Sequence, residues 1–250
     1  MNVLLTGLII AVSTLIGTVA GFTFKKIPHK YNDLLLGGAA GVMLGAAVLG
    51  LIVPAAGCAG RFALLLTVLG VLSGALLVSM LDKVTPHLHH LVGIDKEAHA
   101  HNAGVSKVLL FVSAIAIHKL PEGLAAGVSF GTENMSDVLT VAGSISLQNI
   151  PEAMVVVAPL LAVGVTRLRA MLISLSIGVI SMTGTFLGYY LVSITAVLLP
   201  FLLAFAGGTM MYVISDEMIP ETHSHGFEKQ ATFALLSGFL LILVLQSLVG

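Results

Sequence analysis

Ile117-His118-Lys119-Leu120-Pro121-Glu122-Gly123 and, 30 residues later, Leu147-Gln148-Asn149-Ile150-Pro151-Glu152-Ala153 are one pattern written twice. Each runs polar, polar, aliphatic, Pro, Glu, small, and each sits inside a long apolar stretch. A membrane-crossing helix needs about 20 mostly apolar residues. Such stretches occur at about 3–24, 33–53, 63–81, 107–130, 138–163, 170–192, 195–219 and 231–249, with boundaries good to about two to four residues. The period-two alternation of a membrane barrel is missing. The expected fold is an all-α integral membrane protein of eight transmembrane helices, a single transmembrane domain over 1–250. Its two polar motifs fall on helices four and five.

Composition agrees. The chain is 57% hydrophobic and only 9% charged, where a soluble domain carries about 25% charged residues; mean hydropathy is +1.07. Lys and Arg number 11 against 12 Asp and Glu, so no basic patch exists for nucleic acid. Cys58 stands alone, which excludes a disulfide framework, a Cys-based zinc knuckle and an iron–sulfur site. The first apolar run has no basic residue before it and ends at Lys25-Lys26, which reads as a resident helix and not a cleaved signal. Basic residues outside the spans split nine to one in favour of the odd-to-even connections. The positive-inside rule then puts both termini outside a cell membrane and the 82–106 loop in the cytoplasm.

Spacing sets the geometry of the motifs. The turn near 131–137 lies roughly 20 Å from each motif at 1.5 Å per residue, so an antiparallel hairpin brings both to similar depth. His118 and Glu122 stack on one helix face, as do Gln148 and Glu152. Lys119 and Asn149, each three residues before its glutamate, form an adjacent row. An ionised side chain at mid-membrane costs roughly 2.5–3.5 kcal/mol even on mild scales, so such a cluster marks an ion or proton path. One row offers imidazole, amide oxygen and two carboxylates, a fitting set for Zn²⁺. The other contains an ammonium, which stands where a second metal could otherwise lie. Pro121 and Pro151 also displace the carbonyls of Ile117 and Leu147, and freed carbonyls at this depth must face protein, water or an ion.

Other polar groups are assigned around this centre. On helix seven, Asp216 or Glu217 is deep enough to close the second row or to pair with Lys119. Met43 on helix two could lend a thioether at the entrance. His87, His89, His90, His99 and His101 make 82–106 a His-rich cytoplasmic loop suited to transient metal capture. His29 receives no role, and His223 and His225 only a weaker version of the loop's. Small residues recur at four-residue spacing (Gly37, Gly41, Gly45; Gly70, Gly74; Gly123, Gly127; Gly184, Gly188). Such strips serve tight packing or let one helix group slide past another.

These motifs resemble the ZIP (Zrt-, Irt-like) family of divalent metal transporters, bacterial and GufA-like members in particular. The matching parts are His118-Lys119-x-Pro121-Glu122-Gly123, Gln148-Asn149-x-Pro151-Glu152 and the Asp-Glu-x-x-Pro-Glu run at 216–221. The resemblance implies a metal site of His118, Glu122, Gln148 and Glu152 between helices four and five. It implies an adjoining site of position 119, Glu122, Asn149, Glu152 and an acid of helix seven. Lys119 departs from the Asn common in the family, and Ala153 from the Gly often found there. Uptake toward the cytoplasm, a homodimer in the lipid bilayer and elevator-like sliding of helices one, four, five and six are further implications. No prosthetic group is expected; the cargo is a divalent ion, zinc foremost, with cadmium, iron(II) and manganese tolerated by the same ligands.

Three rival readings compete, the first of them from a different class. An intramembrane metalloprotease would carry His-Glu-x-x-His, which is missing. A proton or alkali-cation carrier could be built on Lys119 and the glutamates. A receptor would bind metal without moving it.

Overall fold

The computed structural model describes residues 2–23, 28–84, 116, 118–132, 134–162, 164–194 and 196–249. Among these, seven helices are long and apolar enough to cross a membrane. They are α1 (Val3–Gly21), α2 (His29–Gly57), α3 (Ala63–Val84), α5 (Met135–Ala162), α6 (Arg167–Ile194), α7 (Leu199–Thr222) and α8 (Glu228–Val249). The expected fourth span, 107–130, is described only at 116 and from 118 onward. There 118–128 is helical (α4) and tightens into the 3-10 turn Ser129–Thr132. The loop histidines His87, His89, His90, His99 and His101 lie outside the described residues.

Prolines account for the largest boundary differences. Helix α7 starts at Leu199 and not 195, behind a 3-10 turn, because Pro200 fits a first turn whose N–H groups have no partner anyway. Helix α2 begins at His29, directly after Pro28, and runs through Pro54 to Gly57. A helix can pass a proline if the missing hydrogen bond and the ring clash are absorbed upstream. Here Ala46–Ile52 widens into a π-turn before Pro54, and Ile214–Met218 does the same before Pro220. Polar side chains within α1 are satisfied by its own carbonyls and by α6. Ser13 and Thr14 both donate to the Ile10 carbonyl, and Thr18 donates to Ser174 of α6 at 2.7 Å. Buried hydroxyls in lipid need such partners.

The helices pack as two groups. Helix α1 lies against α5 and α6, and α3 against α7, while α2 lies against α8. Glycine strips make these contacts backbone to backbone. A Cβ at Gly123 or Gly127 would fall on the carbonyls of Ser181 or Thr185, and one at Gly184 or Gly188 on those of Leu120 or Leu124, so α4 and α6 are locked together. Gly17 meets Ile150 of α5, Gly41 meets Leu235 of α8, and Gly74 meets Phe205 of α7 in the same way. These strips therefore lie inside one group (α1, α4, α5, α6) or the other (α2, α3, α7, α8). Across the seam, α2 meets α5 where Gly50 faces the side chain of Val141. Leu120 and Pro121 on one side and Leu77, Phe205 and Thr209 on the other border an apolar cleft of about 400 Å³. Leu64, Leu72 and Met80 of α3 and Phe233, Leu240 and Leu248 of α8 point outward, an apolar surface suited to lipid.

Candidate metal site

Side chains of both Pro-Glu motifs converge between α4 and α5, deep in the first group. His118, Lys119, Glu122, Gln148 and Asn149 are all buried, and Glu152 is nearly so. The Lys119 ammonium is the hub. Its Nζ donates to Glu122 Oε2 at 2.6 Å, to Asn149 Oδ1 at 2.8 Å and to Glu152 Oε2. Both glutamates thus touch one common cationic atom, contributed by the chain itself. Asn149 is oriented for this by α1, because its Nδ2 donates to the Ile10 carbonyl at 3.3 Å and leaves Oδ1 facing the ammonium. Beside Lys119 a cavity of about 10 Å³ is lined by Thr14, Asn149, Glu152 and Ser174, about the space one water requires.

The other row is differently occupied. His118 Nε2 lies 3.1 Å from Glu217 Oε1, a contact that joins α4 to α7 across the seam. The sequence left open whether Asp216 or Glu217 would turn inward, and allowed either to pair with Lys119. Successive helical residues point about 100° apart, so only one can face the site. Glu217 does so, on His118, while Asp216 is exposed. Gln148 is fully buried, and neither Oε1 nor Nε2 has a hydrogen-bond partner among the described residues. Burying an unsatisfied amide costs about 1–3 kcal/mol, and such a group marks a place for a ligand or water. Met43 is buried and belongs to the same apolar core cluster as Ile10 and Ala125.

As the side chains stand, no three His, Cys, Asp or Glu groups among the described residues are poised around one metal ion. The physical reason is visible: the ammonium fills the space between the two carboxylates, and Glu217 takes the imidazole nitrogen. A metal on His118, Glu122, Gln148 and Glu152 would need those contacts to open.

Sequence reasoning missed the supporting residues Ile10, Thr14 and Ser174. The signal for Thr14 was the file of Ser and Thr in α1, which apolar packing does not require. It also missed Asp33, which is fully buried near the start of α2. Its Oδ1 lies 3.0 Å from His225 Nδ1, and the His225 ring stacks on that of His29 at 4.4 Å.

Among the described residues, apolar helices long enough to cross a membrane, with paired Pro-Glu motifs converging between two of the helices, define a polytopic membrane-protein class. A family model described as ZIP Zinc transporter matches residues 93–246. The chain is 38% identical to the zinc transporter GufA of Myxococcus xanthus, over 99% of this chain and 98% of that one. It is 36% identical to the zinc transporter ZIPB of Bordetella bronchiseptica, over 95% of this chain and 78% of that one. Similarity to the zinc transporter ZupT of Chlorobaculum parvum is 30%, over 95% and 93%. The chain belongs to the ZIP family, a family of transporters and not of enzymes.

Proposed function

We propose that this protein carries a divalent metal ion, zinc foremost, across the cell membrane toward the cytoplasm by alternating access. The cargo binds to His118, Glu122, Gln148 and Glu152, and Lys119 stands in place of a second metal. The observation that carries this reading is the meeting of two buried glutamates, from two helices, on one cationic atom. The orphaned amide of Gln148 beside them supports it. Nitrogen, amide oxygen and carboxylate together suit a borderline divalent ion, and two carboxylates offset its charge in low dielectric.

For the change of access, the first helix group moves against the second. Support comes from glycine locking within each group and side-chain contact across the seam. In this reading the His118–Glu217 contact is made or broken as the groups shift. Both termini face outward, as the distribution of basic residues supports. Uptake of radiolabelled zinc into proteoliposomes tests the proposal. Wild type takes up zinc, whereas His118→Ala and Glu152→Ala lose most of it. Sodium flux in place of zinc flux would favour the alkali-cation reading, and tight zinc binding with no flux would favour a receptor.

A further inference from the structure

We propose that Lys119 is the permanent counter-cation of the emptied carrier, and that it sets how fast the empty site turns round after releasing metal. The inference rests on the transport reading above. It starts from the ammonium's position, bonded at once to Glu122, Glu152 and Asn149. Those bonds leave no carboxylate of the two motifs without a cation when the cargo is gone.

Among the described residues, the charges facing this space come from α4, α5 and α7. They are Lys119, the carboxylates Glu122, Glu152 and Glu217, and the imidazole of His118. With a divalent ion bound and His118 neutral, the ammonium and the metal together balance the three carboxylates. With the metal released, the ammonium holds the residual charge to two negatives. Without Lys119 the loaded site would carry one negative charge and the empty site three. The cost of holding charge in a low-dielectric interior rises with the square of that charge. Removing the ammonium therefore burdens the empty form about five times as heavily as the loaded one. The ammonium is a tethered cation that cannot leave with the cargo.

The two directions of the cycle separate experimentally. Net uptake into zinc-free proteoliposomes requires the empty carrier to return. Exchange of labelled zinc against zinc preloaded inside does not. Lys119→Met is expected to raise the ratio of exchange to net uptake roughly tenfold over wild type, while Lys119→Arg stays within about threefold of it. Lys119→Gln is read in the same way if the Met variant fails to insert. Equal loss of both modes in Met and Gln variants, or an unchanged ratio, would overturn the inference. Wild-type vesicles that move zinc in neither mode would instead overturn the transport reading, and the inference with it.

Discussion

His118 and Glu217 meet at 3.1 Å across the seam between the two helix groups, imidazole from α4 and carboxylate from α7. The nitrogen that the sequence assigns to the metal is already engaged by a residue of the opposite group. On the proposed ligand set, Glu217 yields His118 to the ion or shares the ion with it. Either way it tunes the site from outside the two motifs. Glu217→Gln is expected to weaken zinc affinity by roughly tenfold, the usual scale for groups that orient a metal ligand. Titration of purified protein with zinc measures this, and an unaltered affinity would place Glu217 outside the binding step.

Gln148 carries a folding cost beside its proposed role as a ligand. Its amide is fully buried with no partner among the described residues, so Gln148→Met removes polar atoms that the empty fold does not satisfy. The variant is expected to be more stable without metal by about 1–3 kcal/mol, and to lose most zinc uptake. Thermal unfolding of metal-free protein alongside vesicle uptake would show it. A less stable variant would mean that the amide has a partner it needs.

Metal affinity should fall on acidification from about pH 7.5 to pH 5, since His and carboxylate ligands bind only when deprotonated. Lowering pH adds protons that compete with zinc, so the sign is loss of binding toward acid. A flat affinity across that interval would exclude His118 and both glutamates as ligands.

How far the amino-acid chain alone disclosed this arrangement differs from part to part. Seven of the eight expected spans were legible because apolar runs of membrane length have few other readings, and the Pro-Glu repeat stood out through its energetic oddity. Three-residue spacing put Lys119 beside Glu122, whereas its bond to Glu152, 33 residues on, depends on how α4 and α5 pack. The partner of His118 was not legible either, because Glu217 and Asp216 differ only in which way a widened turn before Pro220 directs them. The Asp33–His225 pair joins residues 192 apart, a closure no local pattern encodes.

Cys58, the sole cysteine, lies just past α2 on the side assigned to the exterior. Partial burial, with the Asp137 carboxylate nearby, pushes its thiol above the ordinary range. Less thiolate is then present at neutral pH, and reaction should be slow there and quicken as pH rises. A membrane-impermeant maleimide applied to intact cells is expected to label Cys58 in this way, with Asp137→Asn labelling faster. Labelling only after the cells are opened would reverse the assigned orientation.

Neighbouring glycines of α2 offer a test of packing. Gly41 lies against the Leu235 backbone, whereas a Cβ at Gly38 would come no nearer than 4.0 Å to Ala234. Gly41→Ala is expected to destabilise by about 1–3 kcal/mol through overpacking, and Gly38→Ala to be neutral or stabilising by about 0.5–1 kcal/mol. Unfolding in detergent would rank them, and equal effects would argue against close α2–α8 contact.

The Ile10 carbonyl gives the opening helix a task beyond anchoring. It grips the nitrogen end of Asn149 and so dictates which end of that amide confronts the ammonium. A one-residue slip of α1 would withdraw that grip and let a donor face a donor. The polarity of the cluster around Lys119 is thus policed by a stretch that owns no ionisable side chain, and harmful substitutions there need touch none of the cluster's side chains.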